Sequence, residues 1–307
     1  MRNRNPIFLN CFTQGGSNIL WNMIVSHPDV CSPKTETHSC FENGINLGMN
    51  KTKRPWHWII ISWTGIALFL LTLQHRLFDV RNIRPRRLIP GLAERIIDYR
   101  LFNAKCLSFD EQGFKFKGPN VLYSTEELAA TRFCSKGNNG LVFLNPIYRH
   151  MYPTVRFVGM VRHPLALYES WSRRNVVKTP EEFARFYNAL AGKMISEQQK
   201  GNYKLVTFEN LMTHPIEVVR DVYSFLGLDF DESRKLRLKA KKHYRDDGTY
   251  GTDLKEGQYY WFSVDEVKSY FGSGVSKKIK LLNADDIRIV LDLTEDIRLK
   301  LGYDERP

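Results

Sequence analysis

A short apolar run that stops at a glycine pair and passes straight into helical periodicity constrains this chain more than any other feature. Ile7-Phe8-Leu9-Asn10-Cys11 reads as a strand, Phe12-Thr13-Gln14-Gly15-Gly16-Ser17-Asn18 as a polar turn, and Ile19-Leu20-Trp21 as a helix start. Strand, turn and helix in that order is the unit from which parallel α/β sheets are built. Gly15 and Gly16 allow a tight turn and close approach of the backbone to a ligand. Free N–H groups at a helix start favour an anion, and Ser17 and Asn18 add side-chain donors. The ATPase phosphate loop needs Lys and then Ser or Thr after its second glycine; here Gly16 is followed by Ser17-Asn18. Taken alone, the pattern fits a plain strand–helix turn as well as an anion site.

A second stretch follows the same order. Phe157-Val158-Gly159-Met160-Val161 ends in Arg162-His163-Pro164, and Pro164 suits the first turn of a helix. Ser170 lies eight residues after Arg162, near the start of that helix. Arg162 offers a planar, permanently charged fork to a phosphate, and Ser170 a hydroxyl. The plainer alternative is an arginine that caps a helix and pairs with a surface carboxylate.

Together the two stretches resemble the sulfotransferase family, whose donor is 3′-phosphoadenosine 5′-phosphosulfate (PAPS). The resemblance implies that Gln14, Gly15, Gly16, Ser17 and Asn18 occupy the place of the family's 5′-phosphosulfate loop. It also implies that Arg162 and Ser170 hold the 3′-phosphate. Further segments agree: Ser26-His27-Pro28-Asp29-Val30, then Leu205 to Leu211 with Pro215, Phe225-Leu226-Gly227-Leu228, and the closing Leu301-Gly302-Tyr303. Residues 45–120 and 230–275 match only loosely. The implied fold is α/β, a mainly parallel central sheet flanked by helices, with an architecture like that of P-loop NTPases. It would form a single domain over 1–307, with a hydrophobic insertion near 51–76 and a loop-rich region near 244–275. The implied reaction is in-line transfer of a sulfuryl group from PAPS to a hydroxyl of a carbohydrate, lipid or other small molecule.

One position departs from the family. Where Gln14 stands the family places Lys or Arg, a cation that offsets charge growing on the bridging oxygen as sulfate leaves. Either another cation replaces it, or turnover is slow, or the protein binds nucleotide without turning it over. Lys136, in Arg132-Phe133-Cys134-Ser135-Lys136-Gly137, resembles the strand-end lysine that some sulfotransferases place near the sulfate; Lys34 is the second choice. Both could equally be solvated surface cations. The acceptor's proton needs a base. The resemblance implies Glu36 for this role, within Lys34-Thr35-Glu36-Thr37-His38-Ser39, and His38 has a side chain suited to proton transfer near neutrality. Two residues apart on an extended segment, Glu36 and His38 would point to one side. The alternative is an exposed loop carboxylate and an incidental histidine.

Cys11, Cys31, Cys40, Cys106 and Cys134 show no paired spacing, so no metal site is expected. Their odd number, and Arg2 and Arg4 leading directly into Pro6 and the first strand, argue for a reducing, cytoplasmic setting. The chain of 307 residues is 43% apolar, enough for a substantial core. Its net charge of +12 attracts polyanions, with basic runs at Arg76 to Arg87 and Arg234 to Arg245. These are either solvated faces or a field for an acidic acceptor or an anionic membrane surface. Nucleic acid is not indicated, because no recognised binding motif accompanies the charge.

Trp58 to Leu73 is apolar and flanked by Lys51, Lys53, Arg54 and Trp56 on one side and His75 and Arg76 on the other. As a helix it would be about 24 Å long, short of the roughly 30 Å hydrocarbon core. A crossing there would also separate the loop at 13–18 from Arg162. A buried helix, or one lying in the membrane surface near a lipid-linked acceptor, ranks above a span. Elsewhere, strands are expected at 6–10, 132–136, 155–161 and 203–208. Helices are expected at 18–26, 142–151, 164–175, 180–200, 215–226 and 284–301.

Overall fold

A computed structural model of the chain describes residues 2–33, 36, 91–107, 116–119, 121–231, 233, 235–239, 257–271 and 282–303. Lys34, His38, the segment Trp58–Leu73 and the basic run 76–87 lie outside the described residues. The elements in chain order are β1 (Ile7–Cys11), α1 (Asn18–Ile24), β2 (Val30–Cys31), α2 (Gly91–Leu107), β3 (Phe116–Gly118), β4 (Val121–Leu122), α3 (Thr125–Ala130) and β5 (Arg132–Asn138). A 3₁₀ helix (Asn139–Leu144) follows, then α4 (Asn145–Met151), β6 (Arg156–Val161), α5 (Pro164–Ser172), α6 (Pro180–Gln198) and β7 (Tyr203–Thr207). The last are α7 (Phe208–Thr213), α8 (Pro215–Leu226), β8 (Leu236–Lys239), β9 (Tyr259–Phe262), α9 (Val264–Phe271) and α10 (Ala284–Lys300).

The principal sheet runs β2-β5-β1-β6-β7, and each pairing in it is parallel. All five residues of β1 are buried, as expected of a strand covered on both faces. Ile7, Leu9 and Cys11 enter a core formed with α1, α8 and α9, while Phe8 and Phe12 enter a second core with α4, α5 and α6. Proline occupies the first turn of α4, α5, α6 and α8. Thr179, Thr207 and Asn283 cap α6, α7 and α10 by accepting N–H bonds from Glu182, Asn210 and Asp286. Gly227, at φ +67°, ends α8 in the left-handed conformation.

These elements match the expected α/β class, with instructive differences. Thr207 is both the last residue of β7 and the cap of α7, so Phe208, expected in the strand, begins the helix. The stretch 139–144 is wound more tightly than an α-helix, and α4 begins only at Asn145. Within 244–275, expected to be loop, Tyr259–Phe262 pairs antiparallel with Leu236–Lys239, and Val264–Phe271 is helical with Val267 and Phe271 buried. Arg237, from the second basic run, is not on a solvated face: it is buried, with its guanidinium 4.0 Å from the Tyr259 ring centre.

At the edge of the sheet opposite the strands' carboxyl ends, the buried Glu197 of α6 is paired with Arg149, with Lys193 at 2.7 Å and with Lys200 at 2.5 Å. Burial pushes its carboxyl up, but the hydrogen bonds from Lys193, Lys200 and Arg149 outweigh this and hold it at about 2. Among the described residues no helix is long and apolar enough to cross a membrane.

Candidate functional site

The strand order decides where a ligand can enter. The connection after β1 leads to β2 on one side of the sheet centre, and the connection after β6 leads to β7 on the other. The crevice between their carboxyl ends is the topological switch point, where open α/β sheets bind ligands. Cys11 and Val161 end these strands. The Gly-Gly turn and Arg162 therefore meet there.

The turn is held from both flanks. Trp171 Nε1 of α5 donates to the Thr13 carbonyl at 2.6 Å, and the Asn139 side chain exchanges hydrogen bonds with Thr13 at 2.9 and 3.0 Å. Gln14 is exposed with φ +60°, and Gly15 N–H closes back on the Phe12 carbonyl at 3.0 Å. Gly16 has φ +84°, and a Cβ there would lie 2.3 Å from the Phe208 ring, so glycine is required on both counts. Ser17 is buried with its hydroxyl toward the Cys11 thiol, and Asn18 is exposed. Among the described residues no carbonyl takes the N–H of Gly16, Ser17 or Asn18.

Arg162 leaves the end of β6 and is buried. Its Nη1 donates to the Gln14 carbonyl at 3.3 Å, and its guanidinium stacks 4.6 Å from the Phe208 ring centre. Its Nε is buried and without a partner among the described residues. Burial lowers its pKa, and the Glu209 carboxylate opposes this. Arginine keeps its charge through such a change. Ser170 stands half-buried on α5, beside the Trp171 that holds the turn.

On the face of the sheet covered by α1, β5 presents Lys136 and Asn138 beside Leu9 and Cys11 of β1. Lys136 Nζ pairs with Glu36 Oε1 at 2.9 Å, hydrogen-bonds Asn18 Oδ1 and lies 5.4 Å from the Trp21 ring centre. The Lys136 side chain is 6% exposed and that of Glu36 28%, so the carboxylate is the member of the pair that solvent can reach. Asn138 Nδ2 donates to the other Glu36 oxygen, and Asn138 Oδ1 accepts from Cys11 Sγ at 3.0 Å. A carboxylate can only accept, which orients the amide and makes the thiol a donor. Burial raises the Cys11 thiol to about 11 against the pull of Lys136 and the Ser17 hydrogen bond, so it stays protonated at neutral pH.

Contacts thus run from Glu36 through Lys136 to Asn18 at the helix start, and from Gly16 through the Phe208 ring to Arg162. Asn138, Phe208, Glu209 and Tyr303 adjoin them and were given no role from the sequence; the nearest signals were the segments Leu205 to Leu211 and Leu301-Gly302-Tyr303. No cluster of side chains able to hold a metal ion occurs among the described residues.

Comparison with known proteins gives a match between the sulfotransferase family and residues 6–232 of this chain. No curated protein matches it. Similar solved structures include the sulfotransferase domain from the olefin synthase of Synechococcus PCC 7002, at 16% identity and TM-score 0.45, covering 99% of this chain and 97% of that one. The sulfotransferase domain from the curacin biosynthetic pathway is 14% identical with TM-score 0.46, covering 99% of each chain. A mouse sulfotransferase complexed with PAP is 12% identical with TM-score 0.43, covering 97% of this chain and 86% of that one.

Proposed function

We propose, from the premise that the chain belongs to the sulfotransferase family, that it transfers a sulfuryl group from PAPS to a hydroxyl acceptor. The observation that carries this reading is the meeting of Arg162 with the Gly-Gly turn, its Nη1 on the Gln14 carbonyl at 3.3 Å. Two separated anion-binding groups at one switch point suit an adenosine phosphorylated at both ends. The residues present fit such a molecule. The buried Nε of Arg162, without a partner among the described residues, is a donor for a 3′-phosphate, with the Ser170 hydroxyl on the adjoining helix. The N–H groups of Gly16, Ser17 and Asn18 are open to the 5′ group. When bound, PAPS supplies the activated sulfuryl group.

The chain's own residues divide the remaining work. Glu36, the reachable carboxylate, takes the acceptor's proton on an oxygen lone pair not used by Lys136 or Asn138. Lys136 supplies the positive charge that Gln14 lacks, and releases Glu36 as that carboxylate is protonated. Asn18 and the Trp21 ring hold the ammonium close to the turn while this occurs. Asn138 keeps the Glu36 carboxylate facing the crevice.

A second reading has its own support. Gln14 is uncharged and Lys136 is already paired with Glu36, which suits a protein that binds the nucleotide without turning it over. Calorimetry with 3′-phosphoadenosine 5′-phosphate (PAP) on wild type and Arg162→Ala tests the donor site: tight binding lost in the variant is expected. Absence of binding in both proteins refutes both readings. Conversion of PAPS to PAP with a panel of hydroxyl compounds then separates them, since binding without conversion leaves the second.

A further inference from the structure

We propose that Glu209 and Tyr303 are positioning residues for Arg162, a lock by which the turn after the last helix holds the 3′-phosphate subsite in shape. This rests on the reading of Arg162 given above. The residue pair Arg162-His163 is held on its main chain from separate parts of the fold. Tyr187 OH of α6 donates to the Arg162 carbonyl at 3.0 Å, and His163 N–H donates to Glu209 Oε1 at 3.0 Å. The other Glu209 oxygen accepts from Tyr303 OH at 2.6 Å, and the His163 and Tyr303 rings meet edge to face with centres 5.2 Å apart.

Tyr303 is itself fixed. It is buried, its N–H donates to the Arg298 carbonyl at 3.0 Å, and its carbonyl accepts from Arg298 Nη1 at 3.0 Å. Arg298 is buried too, on α10. The start of α7 therefore grips Arg162 twice. Phe208 faces its guanidinium, and the next residue holds the backbone beyond it. A carboxylate suits the Glu209 position because it sits between two donors and can only accept. An amide there would oppose a donor to one of them, although the Tyr303 hydroxyl can rotate to accept.

The consequence is specific to the 3′-phosphate. Loosening the lock leaves the Gly-Gly turn and its Thr13 contacts in place and lets only the Arg162 fork wander. Binding of PAP and of adenosine 5′-monophosphate, which lacks the 3′-phosphate, should be measured on the full chain by calorimetry or by competition. The variants are Tyr303→Phe, Glu209→Ala, Glu209→Gln and Arg162→Ala, each with its urea midpoint. Tyr303→Phe, which changes no packing volume, is expected to weaken PAP about tenfold, the scale of one hydrogen bond to a charged group. Glu209→Ala should weaken it more and Glu209→Gln less, with adenosine 5′-monophosphate unchanged throughout. Equal weakening of both nucleotides, or of neither, by Tyr303→Phe while Arg162→Ala still abolishes the preference for PAP would overturn the lock and leave the Arg162 reading intact. An unchanged preference in Arg162→Ala would remove both.

Discussion

Replacing Gly16 by alanine tests whether the turn, the Phe208 ring and Arg162 form one rigid unit. The cost has two sources. Holding a non-glycine residue at the observed φ of +84° costs about 1–2 kcal/mol. Placing a methyl group 2.3 Å from the Phe208 ring adds about 1–3 kcal/mol of overpacking. Phe208 is half-buried, so its ring can move, and the steric part should fall near the low end of its range. That movement has a second effect, because the same ring supports the Arg162 guanidinium. Gly16→Ala is therefore expected to lose roughly 2–3 kcal/mol of stability in urea titrations and also to weaken PAP binding in calorimetry. In a Phe208→Ala background the steric part vanishes and only about 1–2 kcal/mol remains. A cost as large in that background as in wild type would refute the ring contact as its origin. A loss under about 0.5 kcal/mol in wild type, the level of an ordinary surface change, would refute the whole account.

The remaining predictions concern the base, its cation and the far edge of the sheet. Glu36→Gln should reduce PAPS-dependent turnover by about 10²–10⁴-fold with PAP affinity unchanged; retained turnover would remove Glu36 from the base role. Lys136→Ala should cost about 10²–10³ in kcat, and partial recovery in Lys136→Arg would tie the loss to charge. Glu197, held at about 2 against an ordinary 4.5, gives stability that is complete above about pH 4.5 and disappears as pH falls toward 2. Acid titration of Glu197→Gln should lack this limb, and at neutral pH the variant should be about 3–5 kcal/mol less stable, because it leaves cations without their partner. Equal acid profiles for the two proteins would count against the buried pairing.

The parts of the fold that were legible in the sequence are those whose signal is local. β1 and β6 are apolar because both faces of the sheet are covered, so each announces itself as a short run ending in polar residues. β8 and β9 were not legible. Leu236-Arg237-Leu238-Lys239 looks like a charged surface until Tyr259, from a distant part of the chain, covers Arg237. The same contrast runs through the site. Gly16 and Arg162 could be picked out by residue type beside a strand end, and Lys136 and Glu36 through the family resemblance. Asn138 and Glu209 could not, because their roles depend on register with Cys11 and on where Tyr303 comes to rest. Ser170 has a suggestive spacing from Arg162, and it stands half-buried on the helix that follows, one residue before the Trp171 that holds the turn.

The central position of β1 also sets a timetable for synthesis. Among the described strands of the sheet the earliest in chain order is the middle one, and its two neighbours begin only at Arg132 and Arg156. Until Val161 has left the ribosome, Ile7 to Cys11 has no completed pair of edges to join. An apolar strand waiting so long for distant partners is slow to fold and prone to wrong pairing. Its neighbours, once in place, also bring the Gly-Gly turn beside Arg162, so the strand's enclosure and the meeting of these two segments are one event.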